Sequence, residues 1–127
     1  MRTVEIGSQR FTKAVAVDEP THGNACHQYQ VWTINPLSKT SSASSELSER
    51  VATVNFQSGP ILENGINGCH HEDLLVIVLD RLQSFQKGNY SCRENALAIT
   101  KIEEALHWLN HRTSNRQSRG VEGKSEA

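Results

Sequence analysis

The chain has no excess of charge of either sign. Its 127 residues carry 13 Lys and Arg against 14 Asp and Glu, a formal net charge of −1. This balance excludes a dedicated duplex-binding protein, because such proteins neutralise many phosphates and show a strong basic excess. Aromatic residues are scarce at 6%, and hydrophobic residues reach only 36%. A lone monomer of this composition would have a thin core, which favours self-association.

Cysteines are few, and long apolar runs are missing. Cys26, Cys69 and Cys92 are an odd number and form no C-x-x-C motif. No disulfide framework is therefore expected, and a reducing compartment fits best. No apolar run approaches the ~18 residues of a membrane span, and the first ten residues lack the apolar segment of a signal peptide. The composition predicts a soluble, intracellular protein.

No catalytic or phosphate-binding motif of the P-loop, dinucleotide, H-E-x-x-H or G-x-S-x-G kind occurs. The residue types that suit zinc are found at His22, Cys26-His27 and Cys69-His70-His71. A zinc site needs four converging ligands, and adjacent residues rarely reach one ion together. No metal and no cofactor are therefore predicted. A Cys–His nucleophilic pair has its residue types but no recognisable motif, so a binding protein is favoured over an enzyme.

Residues 1–60 carry the patterns of β structure. Branched residues fill 11–17, and apolar and polar residues alternate from Tyr29 to Ile34, which predicts two strands. Turn-forming residues at 18–24 would join them as a hairpin with a long loop. The Ser-rich stretch 37–50 predicts a flexible loop. A third strand is predicted over 50–56, and turn residues predict irregular structure up to residue 68.

Residues 70–119 predict two helices. Apolar residues recur at steps of three and four from Leu74 to Phe85, and this helix should end before Lys87. Ser91 and Glu94 fit a capping box, with Ser91 as N-cap of a second helix of about 24 residues, or roughly 36 Å. The short connection forces an antiparallel hairpin.

The predicted fold class is therefore α+β. A small N-terminal antiparallel β-sheet is followed by a long antiparallel two-helix hairpin, in a single domain over residues 1–127. The tail, residues 120–127, is expected to be partly disordered.

Two arginines continue the apolar stripe of the second helix. The stripe Ile102, Ala105, Leu109 leads at the same spacing to Arg112 and Arg116. A buried guanidinium needs a partner, which can be an acidic group, a phosphate or an aromatic ring. Arg can form two parallel hydrogen bonds with a phosphate and can also stack on a flat ring. The alternative stays open that the longer helix outruns its partner and both arginines lie in water.

Phe85 and Asn95 flank the connection between the two helices. Phe85 either closes the hairpin core or offers a ring on which a base stacks. Asn95 either is a polar surface residue near the helix start or pairs with the edge of an adenine.

Residues 56–123 resemble the phage Thoeris anti-defence sponge family of the first-described kind. The resemblance rests on FQSGPI at 56–61, NGING at 64–68, EDLL at 72–75, RENALA at 93–98, LHWL at 106–109, the arginines at 112, 116 and 119, and GVEG at 120–123. The helical hairpin is also similar to that of the phage anti-CBASS sponge. The N-terminal region resembles the family only in being rich in predicted β structure, without matching motifs.

The resemblance implies an α+β protein that works as a homodimer or as a hexamer, a trimer of dimers. It would bind and sequester glyco-cyclic ADP-ribose signals in the host bacterial cytoplasm without cleaving them, and some members also hold cyclic di- or trinucleotides. Carried over by motif, Phe85 and Arg112 would stack on the adenine, Asn95 would hydrogen-bond the ligand, and Arg116 would hold a phosphate or ribose. Arg119 fits the basic tail without an assigned role.

Helix geometry requires that the site implied by the resemblance be formed by two chains. Asn95 and Arg112 are about 26 Å apart along one helix at 1.5 Å per residue, so one chain cannot bring Phe85 and Arg112 onto one adenine. An antiparallel dimer with two symmetric pockets can. Two other functions stay open: an interaction module that inhibits a host protein, and a hydrolase that cleaves the same signals.

Overall fold

The computed structural model describes residues 1–7, 10–34, 47–120 and 123–124. The chain separates into two compact units, residues 1–59 with 66–69, and residues 60–65 with 70–127. The first unit holds an antiparallel sheet and a short 3-10 helix (His22–Asn24), and the second holds the α-helices, which confirms the predicted α+β class. That residues 1–127 form a single domain stays a prediction.

The sheet of the first unit has four strands in the order β1-β2-β3-β4, and every neighbouring pair is antiparallel. The strands are β1 (Arg2–Thr3), β2 (Thr12–Ala16), β3 (Gln28–Ile34) and β4 (Leu47–Asn55). The predicted hairpin is the pair β2–β3, in which Thr12 faces Thr33 and Ala16 faces Tyr29. Strand prediction therefore succeeded where apolar and polar residues alternate.

The start of β4 contradicts the predicted loop over residues 37–50. Residues 47–50 belong to the strand, because Leu47 pairs with Ile34 and Arg50 pairs with Trp32. The Glu49 amide also donates to the Thr33 hydroxyl at 3.0 Å. Cross-strand pairing thus overrides the polar composition, because the strand preference of a residue depends on its neighbours in the sheet. Residues 37–46 lie outside the described part of the chain.

The loop between β2 and β3 is closed by a carboxylate. Asp18 accepts hydrogen bonds from the backbone amides of His27 at 2.9 Å and Gln28 at 3.2 Å. These amides, that of His27 above all, lower the pKa of the Asp18 carboxyl below its usual 3.8.

The buried apolar residues of the described chain are few: Val15, Ala16 and Cys26. The core is as thin as the composition predicts.

A glycine fixes the close approach of two segments in the first unit. The Cβ atom of an alanine at position 68 would collide with the backbone carbonyl of Phe56 and lie 2.7 Å from the Asn55 oxygen. Beside it, Phe56 and Cys69 form a parallel bridge. Only a residue without a side chain fits here, so Gly68 is required for space.

The second unit contains α1 (Ile61–Asn64), α2 (His71–Gln86) and α3 (Arg93–Ser118). The two long helices are where the apolar spacing predicts them. The short helix α1 lies in the stretch predicted to be irregular, where Pro60 is the N-cap and its carbonyl accepts the Asn64 amide at 2.8 Å, the first bond of the helix. No helix in the described residues is long and apolar enough to cross a membrane.

The predicted N-cap of the second helix is wrong by one residue. Cys92, not Ser91, is the N-cap of α3, and its Sγ accepts the Asn95 amide at 3.4 Å. The Gln86 side chain fixes Cys92 there, accepting from its amide at 2.9 Å and donating to its carbonyl at 3.1 Å. A contact across the connection, invisible in the local sequence, sets where the helix begins.

Candidate functional site

A cavity of about 390 Å³ lies where the first turn of α2 meets the last third of α3. Its lining residues are His70, His71, Glu72, Leu109, Arg112 and Thr113. The Arg112 side chain is exposed, so its guanidinium is available to a molecule that enters. The volume is in the range of sites that hold small ligands.

The start of α2 holds one wall of this cavity in place. His70 is the N-cap, and its backbone amide donates to the Asp73 carboxylate at 2.9 Å. Glu72 and Asp73 stand in the first turn, where negative charge is favoured by the helix dipole. The cap therefore fixes the backbone that carries His70, His71 and Glu72 at the edge of the cavity.

Arg116 lies in a different environment from Arg112. It is only 6% exposed, and its Nη2 donates to the Lys124 carbonyl at 2.9 Å. The same tail segment is held a second time, because the Leu62 amide of α1 donates to the Gly123 carbonyl at 3.1 Å. The alternative that both arginines lie in water is therefore wrong for Arg116. Of these two arginines, Arg112 is the exposed one.

Phe85 and Asn95 lie together at the opposite end of the hairpin. The Phe85 ring meets the Tyr90 ring edge to face at 5.9 Å, and the Arg81 guanidinium lies 4.9 Å from the centre of the Phe85 ring. The Asn95 side-chain amide donates to the Tyr90 carbonyl at 3.2 Å. Both residues contact Tyr90, in the connection between α2 and α3.

The predicted site residues therefore occupy separate places in one chain. Phe85 and Asn95 flank the connection, Arg112 lines the cavity, and Arg116 holds the tail. Arg119 is exposed and donates from Nε to the Asn115 side chain at 3.0 Å, within the last turn of α3. Their assignment as ligand-binding residues stays a prediction.

Two of the residues considered for zinc, Cys26 and His27, make other contacts through their side chains. Cys26 Sγ donates to the Asp18 carbonyl at 3.3 Å, and a His27 ring nitrogen lies 2.9 Å from the His22 carbonyl oxygen. Across residues 1–7, 10–34, 47–120 and 123–124, no three His, Cys, Asp or Glu side chains are arranged to hold a metal ion.

A second, polar cavity of about 420 Å³ belongs to the sheet unit. It is lined by Asp18, His27, Gln28, Asn55, Phe56, Ser58 and Asn67. The Asn67 amide closes a loop there by exchanging two hydrogen bonds of 2.8 Å with the Ser58 backbone. Asp18 closes another, so these polar groups serve the fold.

The family profile described as "Acb2/Tad1, hairpin domain" matches residues 48–114, more than half of the chain. The chain belongs to the Acb2/Tad1 hairpin-domain family. "Thoeris anti-defense 1" of Bacillus phage SBSphiJ7 is similar to it, with 60% identity over 77 residues, which are 61% of this chain and 54% of the relative. The chain thus spans about half the length of that curated relative, and the resemblance drawn from the motifs is confirmed.

The Acb2/Tad1 match divides the predicted site residues. The matched range takes in Phe85, Asn95 and Arg112 but ends before Arg116 and Arg119. The two arginines beyond it are those that bind the tail and the last turn of α3 within this chain.

Sequence reasoning missed several residues of this Acb2/Tad1 hairpin. Arg81 lies four residues before Phe85 on one helix face, a spacing that predicts contact, so the pattern could have revealed it. His70, His71 and Glu72 join Arg112 only because the helices run antiparallel. Pairing the start of one helix with the end of the other would have found them.

Proposed function

We propose that this chain is a phage anti-defence protein that binds and sequesters cyclic nucleotide immune signals, above all glyco-cyclic ADP-ribose, without cleaving them. It would thereby block Thoeris immunity, and CBASS immunity where it also holds cyclic oligonucleotides. Membership of the Acb2/Tad1 family and the name of the Bacillus phage relative support the anti-defence role. The observation that carries the binding role is the cavity lined by the exposed Arg112.

The chemistry of this cavity suits a nucleotide. A guanidinium stacks on an adenine and forms paired hydrogen bonds with a phosphate. The neighbouring histidines, His70 and His71, add planar rings that bear hydrogen-bonding nitrogens. Leu109 supplies an apolar wall. A ligand that combines a flat base with a pyrophosphate is the class that uses all three features.

The second half of the proposed site is the ring of Phe85 with Asn95. Arg81 covers one face of that ring, and because its side chain is exposed it can move aside or add its charge to a bound phosphate. Asn95 is held by its bond to the Tyr90 carbonyl, which leaves the side-chain oxygen to accept from an adenine amino group.

The two halves require two chains. Along α3, Asn95 and Arg112 are about 26 Å apart, farther than one adenine reaches. An antiparallel homodimer would place Arg112 of one chain beside Phe85 of the other, twice over. The helices carry large exposed apolar side chains that an interface would cover, among them Val76 at 52% exposed, Ile77 at 64% and Leu97 at 47%. A hexamer would be a trimer of such dimers.

Sequestration needs slow release, and the tail is our candidate for the segment that provides it. Arg116 and α1 hold the backbone of Gly123 and Lys124 at the end of α3. We propose that this segment acts as a lid near the ligand and lowers the dissociation rate. Deleting residues 120–127 should then raise the off-rate, and because it also removes the Lys124 carbonyl that Arg116 binds, the off-rate is measured well below the unfolding temperature of the shortened protein. An unchanged off-rate would remove the tail from the mechanism.

The test is calorimetric titration with 1″–3′ glyco-cyclic ADP-ribose, followed by heat denaturation and chromatography of the supernatant. The proposal predicts tight binding, with the intact ligand recovered. Recovery of an altered ligand would identify a hydrolase. Absence of binding to this ligand and to cyclic trinucleotides, with a host protein captured instead, would favour the interaction module.

Variants separate the proposed contacts. Arg112→Ala removes an exposed guanidinium and should weaken binding by about 2–4 kcal/mol if the pocket is desolvated, or roughly 30- to 900-fold. Arg119→Ala is the matched control, since it removes an equal charge from the same helix. Equal effects of the two substitutions would mean that only the general positive charge matters.

A further inference from the structure

Three aromatic rings cluster on α3 in the turn before Arg112, and none of them lines the Arg112 cavity. His107, Trp108 and His111 are exposed, Trp108 at 66%. The two imidazole rings are 6.5 Å apart between centroids and 21° from parallel. The Trp108 ring lies 5.3 Å from the first and 5.8 Å from the second.

The two histidines have the spacing of a helical chelate. Residues four apart lie on one helix face, one turn above the other. The same spacing brings two histidines onto one zinc ion in the H-E-x-x-H helix. Here the intervening residues are Trp108, Leu109 and Asn110. The glutamate that acts as general base in that motif is replaced by tryptophan, so the pair has ligands for a metal but no base for hydrolysis.

The surroundings favour a cation. Glu103 lies one turn before His107 in the same row, and its side chain is exposed. Glu104 is one residue on and lies 3.7 Å from Lys101. The half-buried residues of α3, such as Ile102 and Leu109, lie on the opposite face of the helix. A metal ion at the histidine pair would therefore not disturb the packing of the hairpin.

We propose that His107 and His111 chelate a divalent transition-metal ion of the Cu²⁺, Ni²⁺ and Zn²⁺ class, with water in the remaining coordination positions. Imidazole nitrogen is a preferred ligand of these three ions. Metal–nitrogen bonds of about 2.0–2.1 Å require the two rings to turn toward each other. Exposed side chains change rotamer in picoseconds to nanoseconds, so this adjustment is rapid.

The bound ion would link two side chains one turn apart on α3, just before Arg112. An ion that binds the folded helix better than the unfolded chain raises the unfolding temperature by mass action. This site stands independently of the proposed nucleotide binding, because it uses neither Arg112 nor Phe85. Its occupancy would stiffen the part of α3 that carries the arginines.

Trp108 provides the measurement, because it contacts both imidazoles. Chelator-treated protein is titrated at neutral pH with Ni²⁺ or Cu²⁺ alone, and tryptophan fluorescence is followed. We expect saturable quenching that an excess of Zn²⁺ reverses. The Trp108→Phe variant, in which Trp32 is the remaining tryptophan, should lose this quenching.

Single-histidine variants decide the assignment. His107→Gln and His111→Gln each turn a two-point chelate into a single ligand, so the apparent affinity should fall by about tenfold or more. His22→Gln, which removes an exposed histidine from the sheet unit, should stay within about twofold of the parent. Zn²⁺ should raise the unfolding temperature of the parent and the His22→Gln protein only. Parent-like titration of either α3 variant, or quenching that survives Trp108→Phe, overturns the proposal.

Discussion

Replacing Arg116 by alanine should destabilise the protein, although arginine is usually a surface residue. The side chain is 6% exposed and donates to the Lys124 carbonyl at 2.9 Å. A hydrogen bond from a charged group contributes about 1.5–3 kcal/mol net, and the buried aliphatic stem adds packing. Truncation should therefore cost about 2–4 kcal/mol, a large part of a typical total stability of roughly 5–15 kcal/mol.

Thermal and urea unfolding of the ligand-free protein measure this effect. A loss of about 2–4 kcal/mol corresponds to an unfolding temperature roughly 8–20 °C lower for a chain of this size. The matched control is Arg119→Ala, because Arg119 has the same charge, lies near the same helix end and is exposed. Its hydrogen bond to the Asn115 side chain is local to α3, so its cost should stay below about 1 kcal/mol.

Hydrogen exchange and limited proteolysis give the second readout. The Leu62 amide, which donates to the Gly123 carbonyl, should exchange faster in Arg116→Ala because the tail is released. In Arg119→Ala its exchange should match that of the parent. Equal unfolding free energies for the two variants, together with unchanged Leu62 exchange, would refute the argument that Arg116 holds the tail.

Three further outcomes test other parts of the structure. Arg112→Ala should leave the free energy of unfolding within about 0.5 kcal/mol of the parent, because the side chain is exposed; a larger loss would place the guanidinium in the core. Gly68→Ala should cost roughly 3 kcal/mol or more in urea unfolding, because its Cβ collides with the Phe56 backbone, whereas Gly88→Ala, with its nearest atom at 3.9 Å, should be close to neutral. The lowered pKa of Asp18 predicts that the ionised carboxylate stabilises the fold at pH values above 3.8, the pKa of this group in the unfolded chain, and that this contribution is lost as the pH falls through the folded pKa. The difference in unfolding free energy between the parent and Asp18→Asn should therefore shrink in acid. A difference that does not change with pH would contradict this.

Local patterns were sufficient for the helices and for the strands with clean alternation. The apolar spacing from Leu74 to Phe85 locates α2 because a surface helix must bury one stripe. Alternation from Tyr29 to Ile34 locates β3 for the equivalent reason in a sheet. Patterns failed at Leu47, where a polar segment becomes a strand by pairing with Ile34, and at Cys92, which Gln86 selects as N-cap. The first failure is a pairing between two strands, and the second is a side-chain contact over six residues that no periodicity reveals.

The candidate site could be predicted only in part. The stripe that ends in Arg112 and Arg116 showed that two charges follow the apolar face of α3. The sequence could not distinguish them, because their burial depends on what lies beside each one. Arg116 is buried and donates to the Lys124 carbonyl, whereas Arg112 lines a cavity with His71 and Glu72. The contact of Arg81 with Phe85 was within reach of sequence reasoning, since both lie on one helix.

The sequence by itself determined the α+β class, the two long helices, the family and the residue types that the proposed site uses. These follow from periodicity and motifs, which act over a few residues at a time. Tertiary structure decided which arginine is exposed and which residues share the cavity with Arg112. Burial and proximity depend on packing across the whole fold, and packing is set by pairs of segments that no local pattern contains.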